Sequence, residues 1–458
     1  MTQLRTVNST ALAENSVSIT PQIDENIPLN LTVNQRYKYW RLRILYSMIF
    51  GYAAFYLVRQ NFSMALPILS AEYGYSKTQL GGILTIWSII YGVGKFVNGY
   101  FSDRSNARYF MSIGLLGAAL TSCLMGFGTG IYYFGFLWAI NAWFQSMGWP
   151  PVTRLLTQWF SPAELGTKWA LASTAHQIGG AAIVLLAGFL IQRWGWQSAF
   201  IVPGLLVMGI ALFLFNRLRD TPQSLGLPSI EAHQGLIENE EETGEERLPP
   251  KQLIMSVLNN RLLWYVCFAN MFFYIVRIGI LNWAPTFLRE LKDASLLSSG
   301  WQVAGFDIAG IFGGIAAGWI SDRFFTGRRG PVSVIYMILL VTCLFCLWYV
   351  PAGNQILSAI TMMVLGFLVY GPQVLAGVAS ADTVSKRAVG LAHGLTGTFA
   401  YVGTGFSGIC VGWLADQYGW NGGFIFFIIS AFLSTFFFSL TWNHRAQTLA
   451  YQSPEETE

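Results

Sequence analysis

Gly51-Tyr52-Ala53-Ala54-Phe55-Tyr56-Leu57-Val58-Arg59, continuing into Gln60-Asn61-Phe62, is the stretch whose reading decides the fold. It lies in an apolar run long enough to be embedded in lipid, yet it ends in an arginine. Tyr52, Tyr56 and Arg59 share one helical face at the i, i+4, i+7 spacing. An arginine near the bilayer centre costs about 2.5 to 3.5 kcal/mol on insertion scales, so it faces the protein interior, finds a partner or awaits an anion. A second copy stands half a chain away in Tyr274-Ile275-Val276-Arg277, its tyrosine again three residues before the arginine. Arg59 lies 16 residues beyond Arg43, and Arg277 lies 16 beyond Arg261. At 1.5 Å per residue both stand about 24 Å along their helices. Two arginines at matched depth in matched halves point to a central site that receives negative charge from both sides.

Of the 458 residues only 11% are charged and 53% are hydrophobic, against roughly a quarter charged in soluble domains, so the chain reads as an all-α membrane protein. Apolar windows of about 20 residues fall at roughly 44–66, 80–101, 109–128, 131–151, 167–190, 198–216, 261–284, 300–320, 331–350, 355–375, 389–412 and 421–441, which predicts twelve spanning helices. Basic residues crowd the loops on one side (Arg36, Lys38, Arg41, Arg43, Arg104, Arg108, Arg154 and their counterparts through Arg323, Arg329, Lys386, Arg387 and Arg445). The other side carries only Lys77, Arg193, Arg289 and Lys292. The positive-inside rule then places both termini in the cytoplasm. It also accounts for the net charge of +4 without nucleic acid.

Residues 1–35 are polar, lack a signal-peptide pattern and are expected to form a disordered cytoplasmic tail. Residues 36–216 form a first six-helix bundle, 261–442 a second, and 443–458 a cytoplasmic tail. The segment 217–260, with Glu238, Glu240, Glu241, Glu242, Glu245 and Glu246 before Pro249-Pro250, reads as a solvated acidic linker. The halves repeat: Gly99-Tyr-Phe-Ser-Asp103-Arg104 returns 219 positions later as Gly318-Trp-Ile-Ser-Asp322-Arg323. These Asp-Arg turns are expected to hold neighbouring helix ends together at the cytoplasmic face. Two pseudo-symmetric six-helix bundles with a solute site near the midplane are the pattern of the major facilitator fold.

Gly51 to Arg59, Ser102-Asp-Arg-Ser-Asn-Ala-Arg108, Met147-Gly-Trp-Pro-Pro151, Arg219-Asp-Thr-Pro-Gln-Ser-Leu-Gly-Leu-Pro228 and Tyr370-Gly-Pro372 together resemble the organophosphate:phosphate antiporters of the major facilitator superfamily. The resemblance covers about residues 36 to 442. It implies a multi-pass carrier of the bacterial inner membrane, functional as a monomer and without cofactor or metal. Such a carrier exchanges an external phosphate ester for internal inorganic phosphate by alternating access. Arg59 and Arg277 stand where the family's phosphate-gripping pair stands, and a guanidinium suits that role because its planar donors match phosphate oxygens. Ser102 to Met111 reads more like the hexose-phosphate members, so a hexose 6-phosphate is the expected ester and glycerol 3-phosphate the next.

The same resemblance assigns Lys95 and His176 to the phosphate site. It places Tyr52, Tyr56, Tyr91, Tyr274, Tyr370 and Tyr401 on the pore side, and it makes Asp307 a gating acid with a basic partner. Lysine at an interface, histidine in packing and tyrosine at the lipid boundary are the plain alternatives. His393 matches nothing in the family and is expected in packing. The chain departs from the family at Gln60, where a lysine is usual, and at Asn282, where an acid is usual. If these face each other, an ion pair between halves has become a neutral amide pair. Arg59, Lys95 and Arg277 against Asp307 leave a surplus of about two positive charges, close to the −1.5 to −2 of a phosphate monoester.

Two other functions fit some of these residues. The family includes transporter-like sensors of external sugar phosphate that signal to a partner kinase, although His176 follows the transporter pattern. A proton-coupled anion symporter would have only Asp307 and His176 as carriers. An enzyme is not expected, because no nucleophile with its base, metal cluster or nucleotide loop stands out.

Overall fold

A computed structural model describes residues 32–233, 250–384 and 388–444. The acidic run Glu238 to Glu246, Lys386, Arg387, Arg445 and nearly all of both expected tails lie outside the described residues. Helices run in the order α1 Val33–Leu57, α2 Asn61–Tyr73, α3 Lys77–Arg104, α4 Ala107–Met125, α5 Ile131–Gln145, α6 Trp149–Trp159, α7 Pro162–Ser173, α8 Ala175–Trp194 and α9 Ser198–Arg217. After these come the single turn α10 Ile230–His233, then α11 Pro250–Leu258, α12 Arg261–Lys292, α13 Leu296–Phe324, α14 Arg329–Tyr349, α15 Gln355–Asp382 and α16 Val389–Ser439.

Among the described residues, ten helical stretches are long and apolar enough to cross a membrane. The twelve expected spans emerge when two features are resolved. The 51-residue α16 reverses at Gly419, whose φ of 67° and ψ of −171° glycine adopts without strain, so it comprises two spans. Helices α5 and α6, each too short alone, make one span interrupted at Ser146–Gly148.

The first span is broken where the sequence suggests continuity. Helix α1 ends at Leu57 and α2 starts at Asn61, so Arg59 and Gln60 sit in an interruption. Backbone freed inside a membrane must find partners in the protein. Here Gln145 Nε2 donates to the Phe55 carbonyl at 2.9 Å and the Val58 carbonyl at 3.2 Å, and Asn141 Nδ2 reaches Val58 at 3.4 Å. Both amides are buried on α5. The fifth span breaks likewise at Thr174, just before His176.

The tail and linker boundaries shift. Helix α1 begins at Val33, inside the expected tail, because Thr32 and Gln35 form a capping box. The first part of the expected linker is docked. Leu218, Leu225, Leu227 and Ile230 are buried against α1, Arg36 Nη2 donates to the Leu225 carbonyl at 3.1 Å, and the Tyr37 hydroxyl donates to the Pro228 carbonyl.

The Asp-Arg turns are held by a second arginine in each bundle. Arg329 pairs with Asp322 at 2.5 Å and with Asp382 at 3.5 Å. In the first bundle Arg154 takes the backbone carbonyl of Asp103, and its salt bridge at 2.9 Å goes to Asp220, which also accepts from the Ala107 backbone.

Hydrogen bonds between the bundles hold them together at the end opposite Val33. Asp416 accepts from the backbone of Lys77 at 3.1 Å and of Thr78 at 2.7 Å, and from the Thr78 hydroxyl at 2.6 Å, capping α3 from across the interface. Lys77 pairs with Glu290 at 3.0 Å, and Thr85 Oγ1 donates to the Gly405 carbonyl at 2.7 Å. Large apolar side chains such as Phe96, Phe312, Ile315 and Trp319 point outward, as in a protein solvated by lipid.

Candidate functional site

A cavity of about 250 Å³ lies between the bundles. Every residue assigned to the site from sequence lines it: Arg59, Arg277, Lys95, His176, Tyr52, Tyr56, Tyr91, Tyr274, Tyr370, Tyr401, Asp307, Gln60 and Asn282.

Arg59 projects from the break between α1 and α2 into a box of aromatic rings. Its guanidinium carbon stands 4.4 Å from the ring centre of Trp87, 4.9 Å from Tyr91 and 5.1 Å from Tyr56. Contacts of this kind are worth roughly 0.5 to 2 kcal/mol each and hold the cation by its faces, not by its N–H edges. Arg277 is 6% exposed, lies 4.9 Å from the Tyr370 ring and 5.4 Å from Tyr274, and donates from Nη2 to the Tyr370 hydroxyl at 3.3 Å. Its Nε is buried without a partner. Lys95 Nζ stands 5.5 Å from the Tyr401 ring, which in turn packs 4.8 Å from Tyr91 across the bundle interface.

Among the described residues no carboxylate lies within ion-pair distance of Arg59, Lys95 or Arg277. The cavity's lining holds Arg59, Lys95 and Arg277 against a single carboxylate, Asp307, which is bonded to Tyr370, so an uncompensated positive charge faces the cavity, and such charge is costly in a low-dielectric interior.

Asp307 differs from expectation. Its partner is the Tyr370 hydroxyl, which donates to Oδ1 at 2.7 Å, so acid and arginine are joined through a tyrosine and not by a direct salt bridge. The reason is steric. Gly310, one turn further along α13, has no Cβ, and a Cβ there would stand 2.0 Å from the Tyr370 ring; its absence lets the tyrosine lie against α13. Among the described residues no hydrogen bond joins Gln60 to Asn282, and the Gln60 side-chain oxygen lies against Gly180, as does Asp307 Oδ2. His176 is ringed by Tyr52 at 4.9 Å, Trp149 at 5.2 Å and Tyr56 at 5.5 Å, with Nδ1 2.5 Å from the Ser173 carbonyl.

Sequence reasoning missed several wall residues. Trp87 is one turn before Tyr91 and Gln373 one turn after Tyr370, so helical spacing from those tyrosines points to them. Trp138, Trp149 and Trp169 complete the aromatic lining, and His393 faces the cavity although packing was expected of it.

Two helical bundles meeting at a central charged cavity, with large apolar side chains on the outer surface, are the architecture of a multi-pass membrane transporter. The profile of the Major Facilitator Superfamily matches residues 48–376. The chain is 43% identical over 423 residues to a "Probable hexose phosphate transport protein" of Chlamydia pneumoniae, covering 90% of this chain and 93% of that one. It is 42% identical over 415 residues to a "Glycerol-3-phosphate transporter" of Bacillus subtilis (strain 168), with 89% and 93% covered. It is 37% identical over 404 residues to the "Membrane sensor protein UhpC" of Escherichia coli (strain K12), with 88% and 92% covered. Its fold matches that of a solved bacterial homolog of the human lysosomal transporter Spinster, with a TM-score of 0.74 at 13% identity over 88% of this chain and 97% of that one. The chain belongs to the Major Facilitator Superfamily and, within it, to the organophosphate:phosphate antiporters.

Proposed function

We propose that this protein exchanges an external phosphate ester, preferentially a hexose 6-phosphate and next glycerol 3-phosphate, for internal inorganic phosphate across a bacterial inner membrane, with both termini cytoplasmic. The observation that carries the reading is that Arg59 from the first bundle and Arg277 from the second open onto one cavity with no carboxylate against either. A phosphoryl group bound there takes charge-assisted hydrogen bonds from both bundles and links them, with Lys95 adding a third cation and the His176 imidazole completing the polar wall. Bridging lowers the barrier to rocking the bundles about the site, whereas the empty carrier holds unneutralised charge and turns over slowly. That difference makes exchange obligatory. The near-equal identity to a hexose phosphate and a glycerol-3-phosphate relative supports the ester class, and the kinship of the Ser102 to Met111 loop favours the hexose. The protein works as a monomer, each chain carrying a complete cavity.

Uptake of labelled phosphate or glucose 6-phosphate into vesicles tests the reading. Rates with internal phosphate are expected to exceed those without it by tenfold or more, and equal rates refute exchange. A sensor of external sugar phosphate is the second reading, favoured by the similarity to the sensor protein. Binding of the ester without any uptake would select it.

A further inference from the structure

The cavity has a second polar region that the phosphate grip leaves unused. Asp307 is 1% exposed and commits Oδ1 to Tyr370, but Oδ2 is buried and has no partner. Gln60 Oε1 is also buried and unpartnered. The two oxygens converge over Gly180 of α8: from the point a Cβ on that glycine would occupy, Gln60 Oε1 stands at 2.6 Å and Asp307 Oδ2 at 2.7 Å. A side chain at position 180 would collide with both, so the glycine lets the two oxygens come together there. Gln373 Oε1, one turn past Tyr370 on α15, is a third unpartnered acceptor on the same wall.

A buried oxygen without a hydrogen bond is destabilising, so this corner favours a ligand that brings hydrogens. It is close to the cationic end. Asp307 is two hydrogen bonds from the Arg277 guanidinium, through the Tyr370 hydroxyl at 2.7 and 3.3 Å, a span that a short carbon chain covers. Gln60 adjoins Arg59 in the chain, so each bundle presents one cation and one acceptor.

We infer that Asp307 Oδ2 and Gln60 Oε1 form a hydroxyl-reading subsite, in which a neutral vicinal diol on the ester donates one hydrogen to each oxygen while its phosphoryl group lies on the arginines. This rests on the phosphate-ester reading above and adds a selectivity to it. A tail ending in a carboxylate, as in 3-phosphoglycerate, keeps one hydroxyl donor but replaces the other with acceptors and sets a negative charge beside Asp307, so phosphorylated acids are disfavoured. An alkyl tail leaves both oxygens bare. Lysine at position 60 would supply the donor itself and compete with the diol; the glutamine of this chain leaves the place to the ligand.

The test is displacement of labelled inorganic phosphate from the purified full-length protein by propyl phosphate, glycerol 3-phosphate and 3-phosphoglycerate. Two hydrogen bonds at about 1 kcal/mol each make glycerol 3-phosphate bind roughly tenfold or more tighter than propyl phosphate. 3-Phosphoglycerate is expected to bind more weakly than either. Gln60→Met and Asp307→Asn are each expected to shrink the diol preference to about threefold or less. Asp307→Asn, which places an amide donor in the corner, also narrows the gap to 3-phosphoglycerate. A wild-type protein that treats propyl phosphate and glycerol 3-phosphate alike, or a preference that survives both substitutions, overturns the subsite and leaves the corner to water. Should both variants fail to fold, the wild-type comparison alone decides. A protein that binds no inorganic phosphate at all removes the phosphate-ester reading instead, so the two failures are distinguishable.

Discussion

Replacing Arg277 with lysine keeps the charge and removes the fork. The structure lets the loss be sized. The guanidinium carbon lies between the rings of Tyr274 and Tyr370, Nη2 is already given to the Tyr370 hydroxyl, and Nε is buried with nothing to donate to. A phosphate with one oxygen meeting Nε and a second meeting another guanidinium N–H would use the fork that lysine lacks. A lysine ammonium can reach one oxygen, so at least one charge-assisted hydrogen bond worth roughly 1.5 to 3 kcal/mol is lost. The ammonium is also the more strongly hydrated ion and is costlier to bury where arginine is 6% exposed. The expected result for Arg277→Lys is a phosphate dissociation constant raised by about 10- to 150-fold at neutral pH, since each 1.4 kcal/mol is a factor of ten. Titration of purified protein followed by intrinsic tryptophan fluorescence reads this, because Trp87, Trp138, Trp149 and Trp169 line the cavity. An affinity within about twofold of wild type refutes the bidentate argument, whatever the variant does in transport.

Other expectations follow from the same geometry. Asp416→Ala removes the acceptor that caps α3 from the opposite bundle, and losing about 1 kcal/mol there shifts the conformational population roughly fivefold toward opening at that end. Distances between spin labels on α3 and α16 would read the shift, and an unchanged distribution counts against it. Gln145→Leu strips a donor from the Phe55 and Val58 carbonyls in the membrane interior, at about 1 to 3 kcal/mol for a buried unsatisfied group, so thermal stability in detergent is expected to fall. A melting temperature equal to wild type would show that the break is held some other way. Tyr370→Phe deletes the hydroxyl linking Asp307 to Arg277 and is expected to weaken phosphate binding by less than Arg277→Lys does. A larger effect would make the tyrosine, not the arginine, the principal contact.

Much of this site was legible because intramembrane charge is rare and therefore informative. Arg59, Lys95, Arg277 and Asp307 stand out from apolar surroundings; helical spacing ties Tyr52, Tyr56, Tyr91 and Tyr274 to the cations, while Tyr370 and Tyr401 are reached only through the family resemblance. What the sequence hid lay in the backbone and in neutral side chains. Nothing in Leu57 to Asn61 announces a break, and the amides that sustain it, Asn141 and Gln145, look like ordinary polar residues of another helix. The partner of Asp307 was misread because acids in membranes usually find bases, whereas here Gly310 admits a tyrosine between them. Gln60 was weighed as half of an amide pair with Asn282, and only coordinates show its oxygen beside that of Asp307. The docked segment Leu218 to Ile230 was hidden by an acidic run a few residues further on.

The position of bound phosphate relative to the two central arginines tests the account most directly. A structure of the phosphate-soaked protein is expected to show one tetrahedral density within hydrogen-bonding distance of both Arg59 and Arg277. Density held by only one of them, or lying outside the shared cavity, would contradict the claim that a single anion joins the two bundles.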